Sequence, residues 1–413
     1  MNKLTKLEKA WILYDVGNSA FVLMISTIIP IFFKNIASAD GISSSDSTAF
    51  WSYTLSLATL IVAILGPILG RLADGKDKKK QYFSFFLILG SIGCALLGFI
   101  QVWQLFLIVF LIARIGFSGS IVFYDAMLVD VTTDERSDKV SSGGYAWGYI
   151  GSVIPFVVCL LLILMGDKIG ISTYLAGIIS FIIIAIWWVG CSIPLLKDYK
   201  QLYYNEKSEN KQISAILQGL IDTISNAKKN KPMWMFMLAY FFYIDGVYTI
   251  IELATSYGKD VGIGDNDLLF ALLLTQIVAF PFALLFGELS KKVKTRKLIE
   301  ICVFGYILIV LFALQLDKAW EFWFLAVCVA IFQGAIQALS RSYFSRLVPK
   351  DNSNEFFGIF DIFGKGAAFT GTLLVGIITQ ISGDSRIGVA TLLILLIAGL
   401  AILVKVPENQ ADL

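Results

Sequence analysis

"GRLADGKDKKK", Gly70–Lys80, is a glycine, a small and acidic turn, and a run of lysines set between two long apolar stretches. "GELSKKVKTRK", Gly287–Lys297, repeats that order of parts, again between two apolar stretches. A link that recurs at matching places in two halves of a chain marks an internal repeat. Outward from these links the rest of the chain falls into register. An apolar run of about 20 residues is long enough to cross a bilayer as a helix. The sequence predicts 12 such runs, at 10–33, 49–72, 82–102, 105–129, 142–165, 172–196, 232–256, 266–289, 298–315, 321–345, 356–380 and 387–405. Very short links near Gln101–Gln104 and Asp317–Lys318 predict tight hairpins.

Composition supports this all-α integral membrane reading. The 413 residues are 57% hydrophobic and only 15% charged, more apolar surface than a water-soluble fold could hide. A net charge of +2 gives no global field for nucleic acid. The absence of histidine removes imidazole metal ligands, general bases and pH switches. Cys94, Cys159, Cys191, Cys302 and Cys328 lie in apolar runs, an odd number that reads as small buried hydrophobes. No metal or cofactor is expected, and no membrane enzyme, because neither a nucleophile–base pair nor a phosphate loop is present.

Basic residues predict the orientation, since short cytoplasmic loops collect Lys and Arg. With the N-terminus inside, most of the 33 Lys and Arg become cytoplasmic; only Lys34, Lys168, Lys259, Lys318 and Arg386 fall outside. Both termini are then cytoplasmic. The chain divides into an N-terminal six-helix bundle (1–196), a cytoplasmic linker (197–231) and a C-terminal six-helix bundle (232–413). Within the linker, Ile213, Ile216, Leu217, Leu220, Ile221 and Ile224 keep helical spacing and predict an amphipathic helix. Tyr14, Asp15 and Gly17 in the first run are answered by Tyr243, Asp245 and Gly246 in the seventh. A repeated six-helix unit is one transporter architecture, with its site between the halves near the midplane.

Gly70, Leu72, Ala73, Asp74 and Lys78–Lys80 resemble the loop signature of the major facilitator superfamily, with Gly75 where that family usually has a basic residue. A narrower resemblance covers most of the chain. "LYDVGNSAF" (13–21), "FYDAMLVD" (123–130), "YIDGVYTI" (243–250), "GAIQALSRSYFSRLVP" (334–349) and "EFFGIFDIFGK" (355–365) are similar to the vacuole-effluxer-like branch. That resemblance implies the two-bundle major facilitator fold and export of a solute; its fungal members are associated with release of amino acids from the vacuole after autophagy. It also implies that the loop at Asp74 latches the cytoplasmic side, with Asp125 its partner through Lys78 or Lys79.

Polar residues in the apolar runs are the candidate site, because a charge in the bilayer must face the bundle interior or a watery cavity. Arg114, Asp245, Glu252, Tyr248 and Gln337 are the solute- or proton-binding candidates. Asp245 and Glu252 stand seven residues apart on one helix face and are expected to line the cavity. Without histidine, a proton carrier must be a carboxylate. The competing reading of Arg114 is an ion pair bracing the N-terminal half, and that of Asp245 and Glu252 is a salt bridge across the halves, with Arg114 as a candidate partner. Asp15, Asn18, Asp74, Lys78, Asp125, Arg341, Asp361 and Lys365 are assigned to a cytoplasmic gate; Asp361 and Lys365 are equally a self-neutralised i, i+4 pair. Asp15 is placed about one turn from the cytoplasm, within reach of water. Glycine-rich runs five and eleven (Gly143, Gly144, Gly148, Gly151; Gly358, Gly364, Gly366, Gly371, Gly376) read either as rocking surfaces or as static packing.

The expected function is secondary transport by alternating access in the cell membrane. The cargo is a small organic solute, an amino acid or related compound moved outward, with protons as a coupling ion through membrane carboxylates. The partners are that solute and membrane lipids, and the protein is expected to be a monomer. The alternative is a lipid or lysolipid transporter with the same fold, which an apolar cavity open to the bilayer would favour.

Overall fold

The computed structural model describes residues 3–206 and 228–407, and its long helices overlap the expected apolar runs. The chain runs α1 (Lys6–Ser26), α2 (Ile28–Ala39), α3 (Ser44–Ala73), α4 (Lys79–Leu97), α5 (Trp103–Ala126), α6 (Leu128–Val131), α7 (Ser137–Met165), α8 (Thr173–Asp198), α9 (Lys231–Asp260), α10 (Asp265–Leu289), α11 (Thr295–Ala313), α12 (Ala319–Leu347), α13 (Ser353–Ser382), α14 (Ser385–Ala390) and α15 (Leu392–Val404). Among the described residues, ten helices are long and apolar enough to cross a membrane, α1 with α2 and α14 with α15 each counting as one. The other two long helices are α11, which opens on Arg296, Lys297 and Glu300, and α13, along which Glu355, Asp361 and Lys365 lie. The expected amphipathic linker helix at 213–224 lies outside the described residues.

Local chemistry sets the breaks. Pro30 has no N–H for the Ser26 carbonyl, and its ring crowds that position. The first rod is therefore interrupted at Thr27 (φ −133°, ψ −74°) and resumes as α2. Ser26 and Thr27 hydroxyls cover the Val22 and Leu23 carbonyls at 3.0 and 2.5 Å, so the break leaves those acceptors satisfied. At the start of α1, Thr5 and Glu8 form a reciprocal capping box. At the end of α13, Gly383 takes the left-handed conformation (φ +71°) that ends a helix without strain.

Two separate apolar cores follow the two halves of the sequence. One joins residues from Ala10 to Tyr199; the other joins residues from Met233 to Val406, with Ala126 from the first half at its margin. The repeat is visible atom by atom. Tyr14 Oη meets Ser120 Oγ at 2.7 Å in the first half, and Tyr243 Oη meets Ser340 Oγ at 2.7 Å in the second. Gly17 lets α1 approach Trp188 and Cys191 of α8, and Gly246 lets α9 approach Leu396 of α15. Of the glycines of run five, Gly143, Gly148 and Gly151 face Ile12, Ser19 and Val16 of α1 within the same half, while Gly144 sits against Asp15 and against Arg341 of the other half. In run eleven, Gly358 alone of the described positions faces the other half, against the backbone of Gly66.

At the α4–α5 crossing, a Cβ on Gly116 would run into the backbone of Gly90. Gly116→Val is therefore expected to destabilise the first half by about 1–3 kcal/mol, the usual cost of overpacking. Gly190→Ala has open space around it and improves helix propensity, so it is expected to be neutral or mildly stabilising. Thermal melts of the purified variants compare the two.

Candidate functional site

The halves meet most closely at the end of the bundle that carries both described chain ends, and the basic link opens that contact. Gly70 allows α3 to end against α13: a Cβ there would sit 2.5 Å from the Asn354 carbonyl oxygen. One residue beyond the helix, buried Asp74 takes three N–H donors from the start of α13. Asn354 donates from its backbone at 2.9 Å and its side chain at 2.7 Å to Oδ1, and Glu355 N donates to Oδ2 at 3.0 Å. A carboxylate on the unpaired amides and positive pole of a helix N-terminus is a favourable place for negative charge. Burial nevertheless dominates and pushes the Asp74 carboxyl up to about 7, against the pull of Lys79 and of these N–H groups.

The lysine at this clamp is Lys79 rather than Lys78. Lys78 is exposed and reaches only Gln81. Lys79 is fully buried and donates to Asp130 at 2.7 Å, Ser353 Oγ at 2.9 Å and the Ala126 carbonyl at 3.2 Å. Asp130 also accepts Tyr199 Oη at 2.6 Å and the amides of Leu202 and Tyr203, which pins the first residues after α8 to the clamp. Arg71 bonds Glu355 at 3.2 Å. A second clamp again sets a first-half carboxylate among second-half donors. Asp138, in the first turn of α7, is held by Thr295, Ser342 and Arg346 of the other half, Arg346 at 3.0 Å.

Between the two clamps, Arg341 of α12 crosses into the first half. Its Nη1 donates to Asp125 at 2.9 Å, its Nη2 to Asp15 at 3.3 Å and to the Ser141 carbonyl at 3.0 Å, and its Nε to Ser141 Oγ at 2.9 Å. Trp11 and Tyr145 rings lie 4.6 and 4.5 Å from the guanidinium carbon, with Tyr124 at 5.5 Å. Asn18 donates to Asp15 at 3.3 Å. This corrects two expectations. Asp125 partners Arg341, not Asp74 through a lysine, and Asp15 is 7% exposed rather than open to water. Sequence gave reason to pick Asp15, Asn18, Asp125 and Arg341 separately; the fold brings all four together.

Deeper in the bundle the charges are fewer. Arg114 of α5 is half-buried and stacks on Phe117 at 5.3 Å. Among the described residues it forms no ion pair, but it lies in the field of Glu252 and Asp361 from the other half. Glu252 is exposed, Asp361 half-buried, and Tyr248, placed on the same face, feels both. Gln337, half-buried, bonds the Gln333 carbonyl at 3.0 Å. Asp245 does not join this group. It is completely buried against α13, where Gly371 N donates to Oδ1 at 2.8 Å and Thr249 at 3.3 Å, while Oδ2 has no partner. The expected shared stripe of Asp245 and Glu252 is thus divided between a packed helix contact and an open face. The Lys365 side chain lies outside the described residues, so its pairing with Asp361 has no geometry here.

Asp130, Asp138, Arg346 and Asn354 escaped the sequence reading because each sits near a helix end, where a polar or charged residue reads as ordinary topology or capping. A signal did exist in "SRSYFSRLVP", where Arg346 follows Arg341 by five residues and so leaves the helix on a different face, toward the other clamp.

Comparison with known proteins agrees with this architecture. The family model described as "Vacuole effluxer Atg22 like" matches residues 5–412. An uncharacterised MFS-type transporter of Bacillus subtilis, YxiO, is 43% identical over 416 residues, covering 100% of this chain and 97% of that protein. Autophagy-related protein 22 of Coccidioides immitis is 23% identical over 449 residues, covering 89% of this chain and 74% of that one. Among solved structures, the major facilitator transporter FucP in the outward conformation superposes with a TM-score of 0.74 at 13% identity, covering 98% of each chain. The human organic anion transporter MFSD10 gives 0.70 at 11% identity, covering 96% of this chain and 98% of that one.

Two outcomes are expected at the clamps. Gly70→Leu places a branched side chain on the Asn354–Glu355 backbone and prevents this end from closing, so cysteines introduced at its inner face become reactive to aqueous thiol reagents. The pH dependence has a definite sign. In this structure the Asp74 carboxyl is raised to about 7 from an ordinary 3.8, so a state that exposed it to water would release the proton it holds here. Acidification through that window therefore favours closure, and above it the dependence disappears. Thiol accessibility measured from pH 8 to pH 5 tests this, with Asp74→Asn expected to flatten the profile.

Proposed function

We propose that this chain, which belongs to the vacuole effluxer Atg22-like family of major facilitator transporters, moves a small zwitterionic solute of the amino-acid class by alternating access. It is a multi-pass membrane protein of transporter type and not an enzyme. In the finer reading, α11 and α13 also span the membrane, giving 12 spans, and both termini face the cytoplasm as the basic loops require. The two clamps and Arg341 then seal the cytoplasmic side, and the state described is closed inward.

The observation that carries the solute assignment is Arg114, a guanidinium half-buried between the halves and facing Glu252 and Asp361 across them. A solute carboxylate on Arg114 and its ammonium toward Glu252 would complete a charge pair that the protein alone leaves at a distance. A zwitterion satisfies both poles, and it bridges the two halves, which lets binding favour an occluded state. Tyr248 and Gln337 supply polar edges. Charged groups of both signs weigh against a lipid path, whose acyl chains call for an apolar cavity. Export fits the family description. Asp245, buried with Oδ2 unpartnered, is the carboxylate suited to carry a coupling proton.

Counterflow of labelled amino acids into proteoliposomes tests the assignment. Arg114→Ala is expected to reduce uptake at least about tenfold, as losing one charge-assisted contact of about 1.5–3 kcal/mol implies. Glu252→Gln should raise the half-saturating concentration more than it lowers the maximal rate. Asp245→Asn should abolish movement driven by a pH gradient while leaving exchange intact. Wild-type protein that transports no zwitterion, or an Arg114→Ala protein that transports as well as wild type, would overturn the solute assignment.

A further inference from the structure

The seat of Arg341 is built almost entirely from the half that does not own it. Asp15 and Asn18 come from α1, Asp125 from α5 and Ser141 from α7, with Trp11, Tyr124 and Tyr145 as walls. When the halves part at this end, Arg341 leaves with α12. What stays behind is a recess with two carboxylates, a hydroxyl, a backbone carbonyl and aromatic faces, and no cation of its own. The neighbouring cations of the first half are committed elsewhere: Lys79 to Asp130, and Arg136 to Glu8 at 2.6 Å.

We propose that this recess is a binding site for an organic cation, a guanidinium or an alkylammonium group, and that Arg341 is its tethered occupant in the closed state. The inference rests on the alternating-access reading but not on the zwitterion assignment. Its chemistry follows from the occupant the structure shows. A planar guanidinium satisfies two carboxylates and Ser141 at once, and the ring faces favour a weakly hydrated organic ion over a metal ion, which keeps its water. A ligand bound there competes with Arg341 for one seat, so it holds this end open until it leaves for the solute site or returns to solution. Solutes or inhibitors with a basic group would thus be recognised first at the cytoplasmic mouth, at a site distinct from Arg114, Glu252 and Asp361.

Binding can be read without any transport. Gly70→Leu keeps Arg341 and the recess intact but separates the halves, and its added bulk meets the opposite half rather than the fold of its own. Methylguanidinium at millimolar concentration should raise the melting temperature of purified, full-length Gly70→Leu protein by several degrees beyond equimolar sodium chloride. Wild type, with the seat filled, should show little shift, and Gly70→Leu/Asp15→Asn/Asp125→Asn should show none. Arg341→Ala gives an independent reading in which methylguanidinium should restore a lowered melting temperature toward that of wild type. Folded Gly70→Leu and Arg341→Ala proteins that respond no more to methylguanidinium than to sodium chloride would overturn the proposal. So would a shift of equal size in the variant lacking both carboxylates, or in wild type. Failure here leaves the Arg114 counterflow result untouched, so the two readings fail separately.

Discussion

Arg341 carries its charge on one half of the protein and finds its neutralisation on the other. Everything at the closed end depends on that division. A buried guanidinium is tolerable only when carboxylates and acceptors surround it, and here those groups belong to α1, α5 and α7 while the arginine belongs to α12. Separation of the halves therefore cannot be partial. Moving Arg341 out strips Asp15 and Asp125 of their cation at the same time, so water or another cation must replace it in one step.

On the alternating-access reading proposed above, so many strong contacts would make a switch and not a lock. A buried ion pair gains Coulomb energy but loses the hydration of both ions, and the two roughly cancel when geometry is good. Asp74 on the α13 amides, Lys79 among Asp130 and Ser353, and Asp138 beneath Arg346 all regain water when that end opens. Each is costly to break by deleting one partner and inexpensive to exchange for solvent as a set. The rigid elements between these contacts are the two separate apolar cores, which need not repack when the halves rock. Close backbone approach at Gly70 and at Gly66 against Gly358 lets the clamps engage without side chains in the way.

Much of this was legible in the sequence, because the bilayer permits few solutions. Apolar run length placed the helices, and the echo of Gly70–Lys80 in Gly287–Lys297 revealed two related halves. Intramembrane polarity picked out Asp15, Asn18, Asp125 and Arg341. What spacing could not supply was partnership across the interface. Asp125 and Lys79 lie close in the sequence of one half, yet Asp125 answers to Arg341, 216 residues away. Asp245 and Glu252 share a helical face by periodicity, yet helix α13 covers one and leaves the other open. A helix face is a local property; which neighbour lies on it is a property of the whole fold.

We propose that the two clamps and Arg341 form one gate that opens as a unit when solute is handled. Spin labels at exposed Glu135 and Asp351, beside the two clamps on opposite halves, report it by pulsed electron resonance, on a background with the native cysteines replaced. The account predicts two discrete distance populations, with transported solute shifting weight from the short to the long one and Arg341→Ala shifting it without solute. A single short distance that neither solute nor Arg341→Ala alters would contradict it.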